Sequence, residues 1–485
     1  MPHLLAPLAR RWRSEAGYRH VLAVALPLIL STSAWSIQHF VDRMFLTWYS
    51  TEAIAAAMPA GMLNFTLMSF FLGTAGYVSA FVAQYHGAGR PERIGPAVWQ
   101  GVYVAVAAGA VLLAVMPYSG AIFDWIGHEP AVRAHEATYF RILCLGAFPS
   151  VAASAMAGFF SDRGRTWPIM WVNFAATGVN VVLTYLLIFG SGPIPEMGVA
   201  GAAWATVASA VFSFLAYLAL LANPEHNRRY RTAGGWRPDG ELFVRLMKFG
   251  LPNGAQFFLD IAGFSAFMLI VGKLGTNELA ASNIALNINN LAFMPAIGCG
   301  IAVSVLVGQE LGKGRASLAW KAAWSGFHLC VFYMGSVALA YALLPGLFLM
   351  PFGARAEPES FQRISEMAVV LLRFVALYSV FDAMAIVLSA AVKGAGDTRF
   401  VMVMVGAMSL GLLALPTYLA LEVFGWGVFA AWWILTVYVA LLAACFLARF
   451  LGGKWTKMRV IEEAAPALPA GLPAAPTVTP GAMEG

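Results

Sequence analysis

Twelve apolar runs follow one another along the 485 residues, each long enough to cross a hydrocarbon layer and separated from the next by a short polar connection. A spanning helix needs about 20 predominantly apolar residues. The runs predict spans at 21–48, 53–84, 96–118, 136–160, 167–190 and 198–222, then 244–272, 278–308, 318–345, 362–391, 399–421 and 425–450. Composition agrees, with 60% hydrophobic and 11% charged residues where soluble domains carry about 45–50% and 25%. No room is left for a soluble domain.

The first run follows Arg10, Arg11, Arg13 and Arg19, as a signal peptide would, but it continues without a small-residue cleavage pattern and reads as a retained span. Cys144, Cys299, Cys330 and Cys445 all lie in apolar stretches without ligand-like spacing and read as small fillers. Net charge is +6, and its placement is lopsided. When connections are assigned alternately to two sides, one side collects the N-terminal arginines, Arg90, Arg93, Arg163, Arg165, the basic residues of 228–248, Lys313 to Lys321, Lys393, Arg399 and those of 449–459. The other side keeps Arg133, Lys273, Arg355 and Arg363. The positive-inside rule then puts both termini in the cytoplasm, and the expected location is a cell (inner or plasma) membrane. The basic bias is explained by topology, so no nucleic-acid partner is expected.

The longest polar connection, 223–243, divides the chain into halves that repeat one another. At a shift of 225, Leu26-Pro27 falls on Leu251-Pro252, Asn64 on Asn289, Gly73 on Gly298, Gln84 on Gln309, Gly87 and Gly89 on Gly312 and Gly314, and Trp99 on Trp324. Later the shift is 232, with Arg141 on Arg373, Gly164 on Gly396 and Thr166 on Thr398, which places seven extra residues around 351–359. Six spans per half is an even number, so both halves enter the membrane the same way round, about a pseudo-two-fold axis along its normal. The expected fold is an all-α polytopic membrane protein of twelve transmembrane helices in two pseudo-symmetric six-helix bundles. Its segments are 1–20 at the N-terminus, a lobe at 21–222, the linker 223–243, a second lobe at 244–451 and a disordered tail at 452–485. The glycines of 87–89 and 312–314 read as tight turns.

Three acids, Asp42, Asp260 and Asp382, interrupt the spans well inside their ends. An Asp at the centre of a spanning helix costs about 2.5–3.5 kcal/mol on insertion scales, so each marks a functional candidate. Asn253, Gln256 and Asp260 share one face of span seven, Asn283, Asn287 and Asn290 one face of span eight, and Tyr378 and Ser379 lie one turn before Asp382 in span ten. Gln38 and His39 lead up to Asp42, and Asn180 lies in span five. Trp35 occupies the position equivalent to Asp260, Phe267 that of Asp42 and Ser150 that of Asp382, so the acids are not a requirement of the repeat. These residues are expected to line a chamber, with Asp260 and Asp382 foremost.

The order of several motifs resembles the MATE family of multidrug and toxic-compound extrusion transporters. They are the paired Leu-Pro openings, Phe40-Val41-Asp42, Val179-Asn180 with Leu187-Ile188-Phe189-Gly190, Val307-Gly308-Gln309-Glu310-Leu311-Gly312, and Lys393-Gly394-Ala395-Gly396-Asp397-Thr398. The resemblance covers spans one to twelve. It implies two six-helix lobes that export amphipathic, often cationic organic compounds by alternating access against inward H+ or Na+ flow. Asp42 matches the family's acid in the first helix; Asp260 and Asp382 match those of the NorM-like branch in helices seven and ten. Thr184 stands where a DinF-like chain tends to carry an acid. Arg43 stands where the family commonly has a small polar residue, and is expected to pair with a neighbouring acid.

A buried carboxylate can exchange a proton or metal cation for a cationic ligand, which is the physics of an antiporter. The expected activity is cation-coupled antiport with no cofactor beyond H+ or Na+, Asp260 and Asp382 holding the ion if it is sodium. Expected partners are small organic cations and the surrounding lipid, the monomer being the working unit. Alternatives are a flippase of a lipid-linked precursor and an exporter of one specific metabolite. No His-Glu metal pair, nucleophile elbow or nucleotide loop points to an enzyme.

Overall fold

The computed structural model describes residues 11–462 except 128, 162–165, 191, 192, 194 and 354–357. Arg163, Arg165 and Arg355, part of the stretch expected to hold seven extra residues, and the tail beyond 462 lie outside the described residues. Among those described, eleven helices are long and apolar enough to cross a membrane, and a pair bent by 44° at Gly146 makes a twelfth. The protein is a multi-pass membrane protein.

Lobe one contains α1 (Tyr18–Tyr49), α2 (Thr51–Gly76) running on into α3 (Val78–Gly87), α4 (Ile94–Val115), the short α5 (Ser119–Ile126), the bent pair α6 (Pro130–Leu145) and α7 (Ala147–Ser161), α8 (Trp167–Phe189) and α9 (Gly198–Leu221). A connecting helix α10 (Pro224–Tyr230) follows. Lobe two contains α11 (Gly240–Gly272), α12 (Thr276–Gly312), α13 (Ala316–Leu343), the short α14 (Pro345–Gly353), α15 (Pro358–Ala395), α16 (Thr398–Met408), α17 (Leu415–Tyr418) and α18 (Val428–Leu451). Two π-helical stretches, Ser409–Ala414 and Leu419–Val423, flank α17 and carry α16 through the membrane as one wide helix. Pro27 and Pro252 sit inside α1 and α11 at equivalent positions. Near the first, the carbonyl of Val24 accepts from Thr166 Oγ1 at 3.2 Å and ties α1 to the start of α8.

Between the lobes α1 packs on α12 and α2 on α11, the two contacts that a two-fold exchange of the halves converts into one another. The close approaches repeat too. A Cβ on Gly73 would lie 2.8 Å from Gly254 Cα, and one on the equivalent Gly298 would lie 2.7 Å from Ile29 Cα, Ile29 being the counterpart of Gly254. A Cβ on Gly87 would meet the Gln309 carbonyl at 2.1 Å, and one on Gly312 the Gln84 carbonyl at 2.3 Å. The repeated glycine turns therefore divide their work. Gly89 and Gly314 turn the chain at φ +69° and +75°, whereas Gly87 and Gly312 keep the backbones of the two lobes in contact.

Two segments that read as polar or disordered are built into the fold. The linker lies under lobe one, where Trp99 Nε1 donates to Thr232 O at 2.6 Å and Asp239, capping α11 through Leu242 N, pairs with Arg93 at 2.8 Å. After α18 the chain crosses from lobe two to lobe one instead of leaving the protein at residue 452. Trp455 is buried and stacks on Phe450, Val460 and Ile461 are buried, and Val460 N donates to Gln84 Oε1 at 2.9 Å. Glu462 accepts from Tyr85 OH at 2.6 Å and pairs with Arg90 at 2.5 Å and Arg93 at 3.4 Å. The disordered tail expected from 452 is thus corrected: residues 452–462 form a strap over the face that carries both ends of the described chain.

Candidate functional site

The lobe-two chamber is built from α11, α15 and the wide helix that begins with α16. Asp260 and Asp382 are both partly exposed and lie within electrostatic range of each other. Gln256, buried one turn before Asp260, donates to Asp260 Oδ2 through Nε2 and accepts at Oε1 from Lys393 Nζ at 3.0 Å. An acid, an amide and an ammonium are thereby joined in line across two helices. Asp382 makes no hydrogen bond among the described residues and is the free carboxylate of the chamber. Tyr378 is buried within range of its charge. Ser409, at the start of the first π-helical stretch, meets Tyr438 OH at 3.0 Å, and Tyr438 lies in the field of both acids.

Lys393, which the sequence places among the topology-setting basic residues, also bonds to Gln256 of the chamber. Span ten does not stop at 391; α15 runs to Ala395 and carries Lys393 inward. The signal was its spacing of 11 residues from Asp382, about three full turns, which puts both on one face.

The other expected chamber residues make the following contacts. Asn253 Nδ2 donates to Gly73 O at 2.7 Å, so it ties α11 to α2 between the lobes. Ser379 is fully buried and donates to Val375 O of its own helix at 2.6 Å. Asn287 Nδ2 donates to the Asn283 carbonyl at 2.8 Å, while its Oδ1 accepts from Arg43 Nη1 at 3.1 Å across the lobe interface. Asn283 and Asn287 are partly exposed and Asn290 exposed. Gln84, whose counterpart in the repeat is Gln309, donates through Nε2 to Gly394 O of lobe two at 3.0 Å.

In lobe one the group around Asp42 separates into two faces. Gln38 and Asp42 are buried inward, and Asp42 Oδ1 accepts from Thr184 Oγ1 of α8 at 2.9 Å. One turn before Thr184, Asn180 is fully buried, and neither of its amide atoms has a hydrogen-bond partner among the described residues. Buried amides are normally paired, so Asn180 holds unused hydrogen-bonding capacity one turn from the Thr184–Asp42 bond. His39 is exposed, its ring 5.4 Å from that of Trp35. Arg43 does not pair with Asp42 as expected; its described hydrogen bond goes to Asn287. Adjacent residues on a helix point about 100° apart, so Asp42 and Arg43 serve different faces.

Across the interface Trp35 stands 5.7 Å from Phe65, which stands 6.0 Å from Phe257 of lobe two, three residues before Asp260. An aromatic row thus runs from α1 and α2 of lobe one to α11, the helix that also carries Asp260. No cluster of three or more His, Cys, Asp or Glu suited to a metal ion occurs among the described residues.

A family model described as MatE matches residues 27–186 and again 252–419, more than half of the chain and starting 225 residues apart. The chain is 29% identical over 445 residues to a probable multidrug resistance protein NorM of Mesorhizobium japonicum, covering 91% of this chain and 94% of that one. It is 30% identical over 412 residues to the multidrug resistance protein PmpM of Pseudomonas aeruginosa, covering 82% and 83%. In fold it is similar to an outward-facing structure of a multidrug resistance MATE family transporter of the MOP superfamily, with TM-score 0.82 and 18% identity over 92% of this chain and 98% of that one. A eukaryotic MATE transporter superposes with TM-score 0.81 and 18% identity over 90% and 96%.

Proposed function

The chain belongs to the MatE family of transporters, and from that premise we propose that it exports amphipathic organic cations by antiport against inward H+ or Na+. The observation that carries this is Asp382, a partly exposed carboxylate of lobe two with no hydrogen-bond partner among the described residues and with Asp260 within range of its charge. A carboxylate held in the membrane interior without a fixed counter-charge takes a proton, a metal cation or an organic cation. Exchange between these is the coupling step. Lys393, already linked to Asp260 through Gln256, leaves Asp382 as the group that exchanges.

Lobe one offers a second place for the ion, favoured by the unpaired amide of Asn180 beside Thr184 and Asp42. There Asp42, Thr184 and Asn180 supply the oxygen donors that a small cation prefers.

Basic residues crowd the face that carries the strap, including Arg90, Arg93, Lys313, Arg315, Lys454 and Arg459. By the positive-inside rule that face is cytoplasmic, and the protein works as a monomer in the inner or plasma membrane. The test is ethidium efflux from oriented proteoliposomes under an imposed H+ gradient and, separately, an imposed Na+ gradient. Efflux with one gradient supports antiport and identifies the ion. Silence under both from folded protein overturns the reading in favour of a flippase or a single-metabolite exporter.

A further inference from the structure

We propose that the two chain ends form a reciprocal latch across the cytoplasmic face, and that its tighter half, Glu462 held by Arg90, must let go each time the lobes part on that side. The inference rests on the export reading above and concerns the control of its inward-open step.

The latch follows the repeat. Arg90 of lobe one and Arg315 of lobe two are equivalent at the shift of 225, and each holds a carboxylate carried by a chain end of the other lobe. Arg315 Nη1 pairs at 2.7 Å with Glu15, which precedes α1, and Ser325 Oγ of α13 donates to the carbonyl of the buried Ala16 at 3.0 Å. Arg90 Nη2 pairs at 2.5 Å with Glu462, which follows α18, and Arg90 Nη1 donates to the Glu462 carbonyl at 3.2 Å. The two halves differ in strength. The Arg315 and Glu15 side chains are 38% and 58% exposed, and Arg315 is shared with Glu310 at 2.8 Å, so solvent screens that pair and it holds little. Arg90 and Glu462 are only 26% and 21% exposed, and Glu462 accepts a further bond from Tyr85 OH. Arg93, the other cation beside Glu462, is already paired with Asp239, which leaves Arg90 as the main partner.

The strap cannot keep all its contacts while the lobes separate. Its root belongs to lobe two, where Trp455 Nε1 donates to Phe450 O at 2.8 Å and the Trp455 ring lies 5.0 Å from Phe450 and 5.5 Å from Trp320. Its far end lies on Arg90 and Tyr85 of lobe one. Between the two, Val460 straddles the seam. Its N–H bonds to Gln84 of lobe one, and its Cγ1 lies 3.0 Å from where a Cβ on Gly396 of lobe two would stand. Gln84 in turn donates to Gly394 of lobe two, so one side chain joins lobe one, lobe two and the strap. Parting the lobes here breaks the Gln84–Gly394 bond and pulls the strap from one side. The buried aromatic root stays, and the half-buried ion pair on lobe one yields.

The test reads the seam directly. A Cβ on Gly308 would stand 2.9 Å from Ala83 Cβ, so the fully buried Ala83 marks where α3 of lobe one meets α12 of lobe two. In protein without the native cysteines, Ala83→Cys is labelled in oriented proteoliposomes by a membrane-impermeant maleimide added on the strap side. When opening is fast relative to labelling, the rate follows the population of the open form. Loss of the charge-assisted bond predicts labelling about tenfold faster or more in Glu462→Gln and in Arg90→Gln, the double variant being no faster than the faster single one. Unchanged labelling in Glu462→Gln overturns the inference. Equal acceleration at Ala105→Cys, in the core of lobe one, also overturns it, because the whole fold would then have loosened. A second measurement needs no reporter in the seam. Arg90→Cys with Glu462→Cys, bridged by a short bismaleimide, should stop the ethidium efflux that the unbridged protein supports. Efflux through the bridged protein overturns the latch and leaves the export reading standing. Wild-type protein that exports no ethidium under any gradient overturns the export reading instead, and the labelling rates still decide the latch.

Discussion

At Asp382, replacing one carboxylate oxygen by an amide nitrogen removes the charge and keeps the shape. Asp382→Asn is expected to cut ethidium efflux by more than about tenfold, with the detergent-solubilised protein as monodisperse as wild type. Unaltered efflux would remove Asp382 from the coupling scheme. The Lys393–Gln256–Asp260 line makes a different demand, since each group in it is satisfied by the next. Lys393→Met leaves Gln256 and Asp260 short of a partner, and should lower stability by about 1–3 kcal/mol in thermal unfolding. Combining it with Asp260→Asn should recover part of that loss, and strictly additive losses would show that the groups do not act as a unit. Asp42, Asp260 and Asp382 were legible in the sequence because an acid in an apolar run is costly wherever its neighbours lie. Lys393 was not, since a lysine near a helix end reads equally well as an anchor until the end of the helix is known. Asn253 and Ser379 were on the right faces, but the partner of a small polar group is chosen by whichever carbonyl packs against it.

The strap shows what periodicity cannot detect at the level of elements. Residues 452–462 contain too few apolar positions to suggest a packed segment, yet Trp455, Val460 and Ile461 are all buried because another lobe supplies the surface. Break and bulge were equally illegible: the bend at Gly146 and the π-helical stretches around α17 arise from packing within otherwise regular apolar runs. What fastens the strap is titratable. Burial opposes the charged form of Glu462, but the hydrogen bond from Tyr85 and the charges of Arg90 and Arg93 outweigh it and hold the carboxyl below its ordinary value of 4.5. A depressed acid stabilises the bound strap at pH above 4.5 and loses that contribution as pH falls through its lower folded value. Hydrogen exchange at Val460, whose N–H is held by Gln84, should therefore be slow near pH 7 and lose protection in that acidic window. Glu462→Gln should show weakened protection already at pH 7, and an unchanged exchange rate would mean that the apolar contacts alone hold the strap.

For the molecule as a whole, the twelve spans and the 225-residue register could be read directly, and the twofold pairing of α1 with α12 and α2 with α11 follows from them. The points where the lobes touch could not, because contact at a glycine is recorded by what is missing from the side chain. If the lobes must rock apart there, fastening them should stop transport. A Cβ on Gly250 would lie 3.4 Å from Thr74 Cγ2 and 2.9 Å from the Thr74 carbonyl, so a small shift of the backbone brings the two positions within reach of a disulfide. In a background without the native cysteines, Thr74→Cys with Gly250→Cys should export ethidium when reduced and stop when oxidised. Continued export by the oxidised protein would place the motion elsewhere. The strap also has a consequence for biosynthesis. Chains fold in the order in which they leave the ribosome. Lobe one and the five spans preceding α18 are therefore made and inserted before the residues that bind Arg90, Arg93 and Gln84 exist. The two lobes must find each other through helix contacts alone, and the clasp across them closes only with the last part of the described chain.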